Sequence, residues 1–192
     1  MDPLYAFVFA GLFSPGPNVI LLTASGARFG FRATLPHVIG VALGVGVIAA
    51  LAGLGIGALL LAHPGLALLL RVVAAGWILW MAYALVRASD MSTGRVGERP
   101  FTLWQAVLFQ WVNPKVWAVA MAAAAGYGIG LPPVEEASRL ALAFSGINLF
   151  VCLFWSFAGS LLALLLTTPR AWTTFRLCMG AALGASALMV FW

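Results

Sequence analysis

Charge is what this sequence has least of. Of its 192 residues, 10 are Lys or Arg and 5 are Asp or Glu, while 64% are hydrophobic. A soluble domain usually carries about 25% charged residues on its polar coat; the share here is 8%. That scarcity excludes an ordinary soluble enzyme and a disordered tail. Cysteine is scarce too. Cys152 and Cys178 are too few for a disulfide scaffold, and they lie in apolar runs without metal-ligand or CxxC spacing. They read as small buried apolar side chains. Acidic residues are limited to Asp2, Asp90, Glu98, Glu135 and Glu136, all expected in connectors or at the terminus. No HExxH, no carboxylate pair and no cysteine pair falls in an apolar run, so the sequence predicts no enzyme, no metal site and no cofactor. A mean hydropathy of +1.06 says instead that much of the chain's solvent is lipid.

What is present is a series of long apolar runs. A spanning helix needs about 20 apolar residues. Residues 3–27, 38–62 and 140–169 contain no charge, and 65–87 is apolar except for Arg71. A fourth span is expected over 102–127, with Lys115 inside it, a fifth over about 141–166 and a sixth over 171–192. The first run lacks the basic start and cleavage site of a signal peptide, so it is expected to remain as a helix. Residues 88–101 and 128–138 read as connectors. The expected fold is all-α: one transmembrane domain, 1–192, with six spans. The net charge of +5 would suggest nucleic acid in a soluble protein. Here the basic residues sit mostly in short gaps and read as topology signals, with no nucleic-acid partner. Arg28, Arg32, Arg87, Arg95, Arg99, Arg170 and Arg176 follow odd-numbered spans, whereas Arg71 and Arg139 lie on the other side. The positive-inside rule then puts both termini outside.

Two polar breaks interrupt the apolar runs, Ser14-Pro15-Gly16-Pro17-Asn18 and Asn113-Pro114-Lys115, 99 residues apart. Arg71 and Arg170 share that offset. Three spans per half place the halves in opposite orientations, so the chain reads as two inverted repeats, about 3–87 and 102–192. Each break starts 11 residues after its span begins, at Pro3 and Thr102. At 1.5 Å per residue this is roughly 16 Å deep, near the midplane. Ser14 and Asn113 are good N-cap residues, with Pro15 and Pro114 in the first helical position. Exposed helix starts and Lys115 suit an anion such as a carboxylate. Lys115 either holds substrate or clamps carbonyls freed by the opposite break.

The stretches FSPGPNVILLTASGARFGF and FQWVNPKVW resemble the two signatures of the lysine exporter (LysE/RhtB) family, and length, span number and motif order agree. The resemblance implies proton-driven export of amino acids or related metabolites across a bacterial cytoplasmic membrane. It implies that Pro15, Gly16, Pro17, Asn18, Asn113, Pro114 and Lys115 line the pathway, and that no residue is catalytic. One departure is that no span carries a carboxylate to relay protons or pair with a cationic side chain, which favours a neutral substrate.

Other residues complete the expectation. Ser14 and Asn18 join the site, Trp111 and Trp117 flank the second break as an aromatic lining, and His37 and Lys115 are the coupling candidates. Arg71 is expected to snorkel outward. Gly40 with Gly44, Gly53 with Gly57 and Gly180 with Gly184 have the four-residue spacing of close helix packing. Trp104, Trp172 and Trp192 fit an interfacial belt. The membrane lipid is a partner by composition, and a homodimer is an open reading. The rival functions are a non-coupled channel and a membrane-embedded accessory protein without transport.

Overall fold

The computed structural model describes residues 2–56, 63–87 and 99–188. Gly57, Asp90, Arg95, Glu98 and Trp192 lie outside the described residues, as does most of the 88–101 connector. Among the described residues there are eight helices and no strand. They are α1 (Pro3–Phe13), α2 (Pro17–Phe29), α3 (Phe31–Gly53), α4 (Pro64–Arg87), α5 (Leu103–Trp111), α6 (Pro114–Gly126), α7 (Pro133–Leu162) and α8 (Pro169–Leu188). Six of the eight begin on a proline. Proline lacks the N–H that the first helical position leaves unpaired, and its φ is already helical. The starts of α1 and α5 are also capped: Asp2 Oδ1 accepts from Leu4 N, and Thr102 with Gln105 forms a capping box.

Three segments are long and apolar enough to cross a membrane: Phe31–Gly53, Leu68–Arg87 and Pro133–Leu162. The pair α1 and α2 qualifies jointly, bent by 59°. Large apolar side chains such as Leu69, Trp80 and Leu142 are exposed around the bundle. In water such a surface would aggregate; in lipid it needs no cover.

Two boundaries differ from the expected ones. The connector expected around Arg28 and Arg32 shrinks to Gly30, which ends α2 and starts α3 at φ 82 and ψ 163. Only glycine adopts that conformation readily, so one residue makes the turn. His37 therefore lies within α3 and not at its start. Likewise α7 starts at Pro133, well before the expected fifth span, and Glu135 and Glu136 occupy its first turn. Carboxylates suit the positive end of a helix, so the polar connector folds as the helix's first turn. At 1.5 Å per residue, its 30 residues reach about 45 Å, more than the hydrocarbon thickness.

Helices α3 and α7 are the central pair and make the most extensive contact in the bundle. Each also carries the broken segment of the opposite half: α1 and α2 lie on α7, while α5 and α6 lie on α3. Helices α4 and α8 pack on each other to one side. Glycines set the closest approaches. A Cβ on Gly26 would sit 2.0 Å from the Ser156 carbonyl oxygen, and one on Gly159 would sit 2.2 Å from that of Thr23. A Cβ on Gly40 would meet the Leu103 carbonyl oxygen at 2.3 Å, and one on Gly53 would meet Ala137 Cα at 2.8 Å. Small residues let backbones touch where lipid supplies no hydrophobic drive. Gly180 plays this part against Val86, whereas nothing lies within 4 Å of Gly184.

Candidate functional site

The two breaks meet. Lys115, the second residue of α6, donates to the carbonyl oxygen of Ser14, to Ser14 Oγ at 2.9 Å and to the Pro15 carbonyl oxygen at 3.3 Å. Those three acceptors use the three protons of the ammonium group. The carbonyls are available because Ser14 and Gly16 each precede a proline. A residue before proline is pushed out of the helical region, and both are extended. This corrects the expected cap. Ser14 closes α1, its hydroxyl donating to the Gly11 carbonyl at 2.9 Å, and Pro15 lies between the helices. Helix α2 starts only at Pro17, with Gly16 as its N-cap. Gly16 is buried beneath the lysine: a Cβ there would come within 2.7 Å of Lys115 Cδ.

A second tie joins the segments on the other side of the breaks. Asn18 Nδ2 donates to Gln110 Oε1 at 2.8 Å, and Gln110 Nε2 donates to Asn18 Oδ1 at 3.2 Å. Gln110 Nε2 also donates to the Ala106 carbonyl at 2.9 Å, which fixes the orientation of its amide. Its Oε1 then faces Asn113 Nδ2 at 3.5 Å. Asn113 does precede Pro114 as the N-cap of α6, as expected, but its side chain makes no capping bond. It is buried, and its Oδ1 has no partner.

Between these ties lies a small cavity bordered by Gly16, Asn18, Asn113, Lys115, Asn148 and Cys152, with apolar side chains around them. Its space of about 10 Å³ is that of a single water. Asn148, on α7, is 2% exposed, and its Nδ2 has no partner. A buried polar group left without a hydrogen bond costs about 1–3 kcal/mol, so two such amides at one cavity call for an explanation.

The remaining predicted residues lie apart from the cavity. Trp111 and Trp117 do not line it; Trp117 Nε1 donates to the Trp111 carbonyl at 3.0 Å, bracing the second break from outside. Ser14, Pro15, Pro17 and Pro114 shape the breaks without bordering the cavity. His37 is buried on α3 with its ring 5.0 Å from that of Phe101, and neither ring nitrogen has a partner. Cys152 is buried as expected. Cys178 is exposed, because its position on α8 faces away from the bundle. Gln110 and Asn148 were not singled out from the sequence. Their signal is an uncharged amide within an apolar run, which a search for charge and proline passes over.

A further cluster ties the bundle's end where α1 begins. Arg139 on α7 donates to Asp2 Oδ2 at 2.8 Å, to Glu136 Oε1 at 3.0 Å and to the carbonyl oxygen of Tyr127 after α6. One guanidinium thus holds α1, α6 and α7 together.

Long apolar helices and two interlocked helix breaks, with a small amide-bordered cavity between them, define a helical membrane protein with a candidate internal site. Comparison with known proteins supplies the family. Residues 9–191 match the model for the LysE type translocator. The chain is 28% identical over 167 residues to the cysteine/O-acetylserine efflux protein of Salmonella paratyphi A, covering 84% of this chain and 83% of that one. It is 25% identical over 165 residues to the protein of the same name in Escherichia coli K12, again covering 84% and 83%. No solved structure matches it. The chain belongs to the LysE-type translocator family, and is a transporter with transmembrane helices.

Proposed function

We propose that this protein is a secondary exporter of small neutral amino acids or close derivatives, moving them by alternating access across the bacterial cytoplasmic membrane. The observation that carries the reading is the meeting of the two breaks beside a small cavity that amide side chains and Lys115 border. Half-helix starts at the midplane of an inverted repeat are how many secondary carriers bind substrate. In this reading α1–α2, α3 and α4 form one three-span repeat, and α5–α6, α7 and α8 the other, with both termini outside. The exchange of partners, each broken segment lying on the other half's long helix, supports the inverted arrangement. Pro15, Gly16, Pro17, Asn18, Asn113, Pro114 and Lys115 shape the pathway. The relatives' names support cysteine-like substrates. So does the cavity's lining, which carries amides, one ammonium and one thiol.

The cavity is too small for an amino acid, so substrate binding requires it to widen. Opening requires one tie to break, either Lys115 to Ser14 or Asn18 to Gln110. The driving force is the proton gradient, with Lys115 and His37 as the groups that change protonation. A water-sized cavity with no continuous passage for an amino acid favours a carrier over a channel. The test is efflux from proteoliposomes loaded with labelled amino acids, with and without an inward proton gradient. Selective, saturable efflux that the gradient accelerates is expected. A folded protein that releases none of them, or releases all without saturation, would sink the reading.

A further inference from the structure

Substrate recognition in this conformation has a donor problem. An amino acid zwitterion needs a hydrogen-bond donor for its carboxylate and an acceptor for its ammonium group. Lys115 is the obvious donor, yet its three protons are taken by Ser14 and Pro15. Asn18 is committed to Gln110 through both of its amide atoms. The Gln110 amide is fixed by the Ala106 carbonyl, so Asn113 turns its Nδ2 toward Gln110 and leaves Oδ1 unused. On the opposite wall Asn148 leaves Nδ2 unused. Among the residues bordering the cavity, Asn113 Oδ1 and Asn148 Nδ2 are the buried amide atoms with no partner at all, on side chains that are 1% and 2% exposed. They come from two elements of the same half, the second break before α6 and the long helix α7.

We infer that Asn148 and Asn113 form an uncharged clamp for the backbone end of the exported amino acid, with Asn148 Nδ2 donating to its carboxylate and Asn113 Oδ1 accepting from its ammonium group. Asn148 is then a specificity residue that neither helix break supplies. Two neutral amides suit a zwitterion, because a charged partner for one end would repel the other. The inference rests on the export reading above.

The test uses the full chain in proteoliposomes loaded with labelled L-cysteine under reducing conditions. Efflux is competed by co-loaded cysteamine, which lacks the carboxylate, and by N-acetylcysteine, which lacks the ammonium group. Wild type should prefer cysteine to either truncated compound. Asn148→Asp replaces the donor with a carboxylate, and the preference for cysteine over cysteamine should fall about tenfold or more, since a site loses selectivity when its hydrogen-bond partner is removed. Asn148→Ala, a second variant that adds no charge, should lower the same ratio about threefold while leaving cysteine against N-acetylcysteine unchanged. If either folded variant weakens cysteine and cysteamine by the same factor, Asn148 is structural and the inference is overturned, while export stands. If the wild type exports nothing, the export reading fails first and takes the clamp with it.

Discussion

The two breaks are built from similar residues but solve the backbone problem differently. The first contains two prolines, and each forces the residue before it into an extended conformation. Three residues therefore leave the helix, α1 and α2 bend by 59°, and the carbonyls of Ser14 and Pro15 are left for Lys115. The second break contains one proline. There the Val112 and Asn113 N–H groups donate to the Phe109 and Gln110 carbonyls, so the chain turns with its own hydrogen bonds. The backbone carbonyls of the first break thus depend on Lys115 from the second, while the second break pairs its own backbone. The half-helices differ as well. Helix α2 is fastened to α7 by reciprocal glycines, and α5 is fastened to α3 at Gly40. Helices α1 and α6 lack backbone contacts of that kind: Gly11 meets only the Val119 side chain, and nothing lies within 4 Å of Gly126. The pair α1 and α6 is held by buried side chains such as Val8 and Ala120 and by the Arg139 cluster, whereas α2 and α5 form a backbone-packed base.

The largest effect should come from breaking the backbone-packed base. Gly26→Ala puts a methyl group into the Ser156 carbonyl, and helices must separate, at about 3 kcal/mol or more. Thermal unfolding in detergent should show a strongly destabilised protein or none, whereas Gly126→Ala should leave the midpoint unchanged. Removing the link between breaks comes next. Lys115→Ala should cost roughly 1–3 kcal/mol for the lost charged hydrogen bonds and reduce efflux at least tenfold. Because only the first break relies on Lys115 for its backbone carbonyls, thiol labelling should rise in a Ser14→Cys background more than in an Asn113→Cys background; an equal rise in both would refute the asymmetry.

Gln110→Leu should cost about 1–2 kcal/mol, since it strands the Asn18 amide, and it should make α2 and α5 exchange amide hydrogens faster. A smaller change is expected from Gly16→Ala. Its Cβ meets a flexible lysine, so stability should shift by less than about 1 kcal/mol, while efflux falls severalfold as Lys115 is pushed off Ser14. The smallest is Asp2→Asn, which keeps a cap for α1 and loses only a partly exposed ion pair to Arg139. About 0.2–1 kcal/mol is expected, decreasing with salt.

The sequence by itself determined a great deal here. Long uncharged runs can only be helices when the solvent is lipid, because unpaired backbone groups find no water. Prolines marked six helix starts, and the Pro-rich motifs located both breaks and the family resemblance. The cap was misplaced by two residues, because Pro17 disfavours helical backbone at Gly16 and so moves the start of α2 from Pro15 to Pro17. Other features were decided by the tertiary structure. Nothing local in Lys115 tells whether its protons go to a substrate or to Ser14, because that depends on a residue 101 positions away. Trp111 and Trp117 flank the break in sequence, but helical rotation turns them away from the cavity. Gln110 and Asn148 became visible only through burial. An amide in an apolar run is unremarkable until packing removes every partner but one, and which partner remains is a property of how the helices meet.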